Sequence, residues 1–232
     1  MKLGIIGAMD VEVEHLRGKV VDPTRVKVAG MAFDDGSIGG TPVTVVKCGV
    51  GKVDAAVCAQ VLIERFGAEA IINTGVAGSL DARLNIGDVL VSTDAVHHDV
   101  DSTNFGYAPG EVPSLGITYF PADERLRKAA EDAVRAVAPD VACVEGRVAS
   151  GDQFVRTQGE KDRIRTTFGA SCVEMEGASI AQTAWLNDVP YVIVRAISDK
   201  ADGTAEVEYP VFEAQAAEHC AKIVSHMVAH LS

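Results

Sequence analysis

A chain of 232 residues, 47% of them hydrophobic, is long enough for one α/β domain with a substantial core and short for two. Its formal net charge of -12 repels phosphate backbones and anionic lipid, which argues against nucleic-acid or membrane-surface partners. Five cysteines, an odd number without a C-x-x-C pair, read as free thiols in a reducing compartment and exclude a zinc knuckle.

Leu3 to Ile6 reads as a buried first strand, turning through Gly7-Ala8-Met9 into a helix from Asp10 to Leu16 with Val13 and Leu16 inward. The segment Leu3 to Met9 is too short, and too soon followed by Asp10, Glu12 and Glu14, for a signal peptide; no apolar run reaches membrane length. The glycine spacing here is not the dinucleotide-binding fingerprint. Glu12 lies in the first helical turn, where an acid also complements the helix dipole. Residues 31–38 and 42–47 alternate as strands around a Gly39-Gly40 turn. Gly49-x-Gly51-Lys52 lacks the spacing of a P-loop and reads as a strand-to-helix turn. The following helix, 53–66, has Ala56, Val57, Gln60, Val61 and Ile63 at core spacing.

Residues 70–74 form a buried strand ending in Gly75-Val76-Ala77-Gly78, glycines that either admit a ligand close to the backbone or make a tight turn. Another strand spans 87–96. The loop 97–116 is rich in Gly and Pro and carries Phe105 and Tyr107, aromatics that suggest an interface. His97, His98, Asp99 and Asp101 within it lack the spacing of a metal site. An amphipathic helix, 123–137, and a strand, 144–150, lead to Gly151-Asp152-Gln153-Phe154-Val155. Phe154 there is either a base-stacking ring or a core or lid aromatic. The helix 157–168 is polar and expected on the surface.

A carboxylate pair, Glu174 and Glu176, precedes a helix with Ile180, Thr183, Ala184 and Leu186 inward, stopped by Asn187-Asp188 and Pro190. Tyr191 to Ile197 is strand-like, broken only by Arg195, and ends at Ser198-Asp199. Ligands of open α/β sheets bind beyond the carboxyl ends of strands, so Glu176 at a helix start and Asp199 at a strand end are placed to face one cleft. The alternative is a solvated helix-turn acid and a turn cap. Residues 206–210 read as a loop bearing Tyr209, and 211–231 as a terminal helix with Val211, Ala214, Ala217, Ala221, Val224, Val228 and Leu231 on one stripe. The fold class expected is α/β: a single three-layer α/β/α domain, 1–232, around a central mixed sheet.

VEMEGASIA (173–181) followed by VRAISDKAD (194–202) resembles the 5′-methylthioadenosine/S-adenosylhomocysteine nucleosidases of the nucleoside phosphorylase superfamily. MKLGIIGAMDVEVEHL, KCGVGKVDAA, IINTGVAGSL and SGDQFV resemble the same family, in order along nearly the whole chain. The resemblance implies hydrolysis of an adenine nucleoside's N-glycosidic bond, in methionine salvage and S-adenosylmethionine recycling, by a cytoplasmic enzyme without metal or organic cofactor. Glu12 would activate water, held also by Arg195; Glu176 would bind the ribose hydroxyls; Asp199 would protonate adenine at N7. The logic parallels the division of labour between glycosidase carboxylates. Phe154 and the backbone of Val155 would grip adenine, Met175 would pack under the ribose, and Val76, Gly78 and Ser198 would complete the substrate contacts. Met9, Val50, Phe105, Pro113 and Tyr209 would enclose the thioether tail, with Phe105 and Pro113 reaching a partner's site from the 97–116 loop of a homodimer. Two positions depart from the pattern: Val76 stands where some members have serine, and Ser102 where an apolar residue is common. Three rivals remain. A phosphorylase would need cationic or hydroxyl groups near the first loop, which offers Asp10, Glu12 and Glu14. A non-catalytic nucleoside-binding protein would be expected to lack one carboxylate. A nucleosidase for 6-amino-6-deoxyfutalosine, of menaquinone synthesis, is left open by Ser102 and Val76.

Overall fold

Two neighbouring isoleucines show how the layers form. Ile5 packs into one apolar cluster and Ile6 into another, as the period-2 alternation of a strand requires. The computed structural model describes residues 1–200 and 205–231, with backbone alone for 205–211. In chain order the elements are β1 (Leu3–Gly7), α1 (Asp10–Arg17), β2 (Val21–Val28), β3 (Met31–Ile38), β4 (Thr41–Lys47), α2 (Lys52–Phe66), β5 (Ala70–Ser79), β6 (Val89–His97), β7 (Phe120–Pro121), α3 (Glu124–Val137), β8 (Cys143–Ser150), α4 (Gln158–Phe168), β9 (Cys172–Glu174), α5 (Gly177–Leu186), β10 (Tyr191–Asp199) and α6 (Ala205–His230).

These strands join in one mixed sheet with helices on both faces, the architecture expected from the sequence. β1 lies parallel between β4 and β5, and β5 is parallel to β10. β10 runs antiparallel to β6, which is parallel to β8; β8 is parallel to β9, and β9 returns antiparallel to β5. Strands β5, β10, β6, β8 and β9 therefore close into a ring, and β4, β3 and β2 extend the sheet beyond β1. Residues of α1, α3 and α6 fill one cluster, and residues of α2 and α5 fill the other. A third cluster seats Ile164 and Phe168 of α4 against Val96, Ala149 and Val173 at one end of the ring.

Several local expectations change. β2 has no apolar alternation; it is an exposed edge strand containing Pro23, a position where a missing N–H is tolerated. α2 buries Ala55, Cys58, Ala59 and Leu62 instead of the stripe through Val57 and Val61. Both stripes are apolar, and the small residues let the helix approach the sheet closely. α4 is amphipathic: Lys161, Ile164 and Phe168 are buried on one face. Leu186, at the last turn of α5, is exposed. β5 continues through Gly75 and Gly78 rather than turning there. Residues 206–210 are helical: α6 starts at Ala205 and runs through Pro210, its downstream apolar face packed on β5 and β10. Among the described residues no helix is long and apolar enough to cross a membrane.

Candidate active site

The carboxyl ends of β1, β5, β9 and β10 and the start of α5 converge on a half-open cleft with about 570 Å³ of empty space. Glu12 enters from α1. Its carboxylate folds back over the orphan donors at the start of its own helix, where Oε2 accepts the N–H groups of Ala8 (2.7 Å) and Met9 (3.0 Å). Oε1 accepts the Val76 N–H across the sheet at 3.0 Å. The side chain is buried, and folded over its own helix start it also complements the dipole there. Burial raises its pKa above the ordinary carboxylate value, against the opposing pull of Arg195 and those three N–H groups. Val76 contributes its backbone donor; its side chain faces the core and the cleft wall.

Arg195 interrupts the apolar run of β10 because one guanidinium serves three acids. Its Nη1 lies 3.7 Å from Glu12, and its Nη2 bonds Glu174 and lies 3.5 Å from Glu176. Asn73 accepts from Nη2 at 2.7 Å. Burial opposes the charge, but the surrounding carboxylates, Glu174 foremost, carry the Arg195 pKa above its ordinary value. The arginine stands behind the cleft wall and braces the acids. The glycines of β5 make room for this assembly. A Cβ at Gly75 would fall on the Glu12 carboxylate and the Arg195 guanidinium, and one at Gly78 would lie 2.9 Å from an Asp199 oxygen.

Glu176 is the N-cap residue of α5, and its carboxylate accepts the Gly51 N–H at 2.8 Å. The turn at Gly49 to Gly51, with both glycines at positive φ, thus supplies a donor to the site. The Glu176 pKa is pushed up to about 7, by burial first and by the Glu174 charge second, while Arg195 and the Gly51 N–H act the other way. Glu174, paired with Glu176 in the sequence but given no role there, anchors the helix start. It accepts the N–H groups of Glu176 (3.1 Å) and Gly177 (2.8 Å) and the Ser150 hydroxyl.

Asp199 ends β10 just after a register shift. The Ser198 hydroxyl donates to Oδ1 at 3.0 Å, and the Lys161 ammonium donates to Oδ2 at 2.8 Å. Sequence reasoning missed Lys161, because a lysine in a polar helix reads as exposed. The signal available was its place on the stripe with Ile164 and Phe168. Among the expected substrate contacts, Met9, Val50, Val76, Gly78 and Val155 line the cleft, as do Phe154, Met175 and Ser198. Phe105 is 79% exposed and Pro113 is exposed, both apart from this cleft. The Tyr209 side chain lies outside the described residues.

A family model described as the phosphorylase superfamily matches residues 2–229. The 5′-methylthioadenosine/S-adenosylhomocysteine nucleosidase of Anoxybacillus flavithermus is 42% identical over 233 residues, covering the whole of both chains. The chain belongs to the 5′-methylthioadenosine/S-adenosylhomocysteine nucleosidase family. Two solved structures place this nucleosidase-family fold among its neighbours. The Colwellia psychrerythraea nucleosidase in complex with adenine superposes with a TM-score of 0.95 at 36% identity, over 100% of this chain and 96% of the other. Futalosine hydrolase of Helicobacter pylori gives 0.92 at 34% identity, over 98% and 97%.

Proposed function

We propose that the protein, acting as one nucleosidase domain over 1–232, hydrolyses the N-glycosidic bond of 5′-methylthioadenosine and S-adenosylhomocysteine. The products are adenine and the 5-thio-substituted ribose. The observation that carries this is the distribution of acids around one cleft: Glu12, Glu176 and Asp199 line it, each accepting hydrogen bonds from its own set of donors. Adenine lies by Phe154 and the Val155 backbone, with Asp199 donating a proton to N7. The bonding pair between C1′ and N9 passes into the purine, and the ribose becomes oxocarbenium-like. Glu176 binds the sugar hydroxyls and stabilises that charge. Glu12 takes a proton from water as its oxygen bonds C1′. Adenine release from methylthioadenosine in phosphate-free buffer tests this reading; a protein that binds the nucleoside without releasing adenine would be a binding protein instead.

Phosphorolysis is disfavoured by the same cleft. Its lining among the described residues includes Glu12, Glu174, Glu176 and Asp199 and no lysine or arginine. A phosphate anion there meets Coulomb repulsion. The similarity to futalosine hydrolase favours a second reading, action on 6-amino-6-deoxyfutalosine, which the ratio of kcat/KM for the two substrates decides.

Glu176→Gln should raise KM and lower kcat together, by about ten- to a hundredfold in kcat/KM, since hydrogen bonds to an ionised acceptor are the stronger ones. The penalty for removing the substrate's 2′-hydroxyl should be large in wild type and much smaller in this variant. Equal penalties would show that Glu176 is not the ribose ligand. The same substitution bears on stability. A carboxylate whose folded-state pKa is raised from 4.5 to about 7 binds its proton more tightly when folded. Its contribution is present below pH 4.5 and is lost as pH rises through about 7. Glu176→Gln should therefore melt higher than wild type at pH 8, and the gain should shrink toward pH 5.

The protein is further proposed to be a cytoplasmic homodimer, in keeping with its five free thiols. Exposed apolar residues of α2 and α5 support the dimer: Val53 is 73% exposed and Val57 is exposed on α2, and Trp185 and Leu186 are exposed at the end of α5. The loop 97–116, through Phe105 and Pro113, would complete the partner's tail pocket. Sedimentation should show a dimer at micromolar concentration, with Val53→Asp shifting it to monomer and reducing activity. A fully active monomer would contradict this.

A further inference from the structure

We propose that Lys161 is a positioning residue for proton donation, an ammonium that holds Oδ2 of Asp199 and stabilises the carboxylate left behind when adenine departs. The inference rests on the reading of Asp199 as the acid. Lys161 is 1% exposed, and a buried ammonium persists only where its charge is met. Among the described residues two groups meet it: the Asp199 carboxylate at 2.8 Å and the main-chain carbonyl of Lys200. It does not line the cleft, so it acts through Asp199 and not on substrate.

The surroundings leave that pairing dominant. Among the described residues, Lys161 from α4 and the Ser198 hydroxyl on its own strand bond Asp199, the Cys172 thiol on β9 is near enough to feel its charge, and Gly78 on β5 brings no charge. On the helix of Lys161, Asp162 pairs with Arg165 at 3.0 Å, and in the segment after β5, Asp81 pairs with Arg83 at 2.6 Å. With Oδ2 taken by the ammonium, the proton for N7 is carried on Oδ1. In the step, the Oδ1–H bond breaks, the N7–H bond forms, and the C1′–N9 pair enters the purine. The negative charge remaining on Asp199 rests against Lys161, whose own protons stay in place.

The test compares two substrates with the same 5-thio-ribose. One is methylthioadenosine, whose leaving group needs a proton. The other is the 4-nitrophenyl riboside, whose leaving group departs as the anion. Lys161→Met should lower kcat on methylthioadenosine by about tenfold or more, the scale of a lost hydrogen bond to a charged group, with KM little changed. It should leave the nitrophenyl substrate nearly unaffected. Lys161→Gln, which keeps a donor without the charge, should show the same selectivity, and Lys161→Arg should recover most of the rate. Adding Lys161→Met to Asp199→Asn should cost nothing more, because the two act as one unit. Equal losses on both substrates, or none on either, would overturn the role of Lys161. Failure of the underlying reading shows separately: Asp199→Asn would then cleave methylthioadenosine as fast as wild type.

Discussion

Glu12→Gln should slow methylthioadenosine hydrolysis by about a hundred- to ten-thousandfold, the range for loss of a general base, with substrate affinity little changed. The geometry explains why an amide cannot substitute. Both Glu12 oxygens accept backbone N–H groups, from Ala8 and Met9 on one side and Val76 on the other. An amide must point its NH₂ at one of these donors, and it has no basic site for the proton of water. Ribose contacts through Glu176 persist, so binding is spared. Wild type carries a related signature. Since burial raises the Glu12 pKa and the base works only when ionised, the rate should fall as pH drops through that raised value. Single-turnover rates and ligand titration separate the two effects. An equal loss of affinity and rate would mean that Glu12 holds substrate rather than water.

Asp199→Asn should keep nucleoside binding and lose about a hundredfold or more in turnover. The position is prepared for this chemistry from several sides. Gly78 leaves space for the carboxyl, Ser198 donates to one oxygen and Lys161 to the other. The asparagine amide would still contact the purine edge, but it cannot give up a proton to N7. An unimpaired variant would reduce Asp199 to a strand-end cap.

Much of this site was legible because it sits where strand ends and helix starts are marked by sequence. Asp10 to Leu16, Glu176 and the run from Tyr191 to Asp199 all fall where the helix and strand signals put them. Less legible were features set by tertiary contact. Lys161 belongs to a helix whose composition reads as surface, and its burial follows from contacts with Asp199 and the Lys200 carbonyl, both distant in sequence. Glu174 is a neighbour of Glu176 whose work is to cap α5 and bind Arg195, which no spacing rule distinguishes from ribose binding. The inner face of α2 was misread because the helix is apolar on both sides, the property that also leaves Val53 and Val57 exposed. Ring closure by β9 on β5 involves a strand of three residues, too short to carry a pattern.

The most direct test of the account is the identity of the sugar released from methylthioadenosine, with and without added phosphate. Hydrolysis predicts free 5-methylthioribose at the same rate in both conditions, because Glu12 activates water in a cleft lined by acids. A 5-methylthioribose-1-phosphate product whose formation depends on phosphate would contradict it.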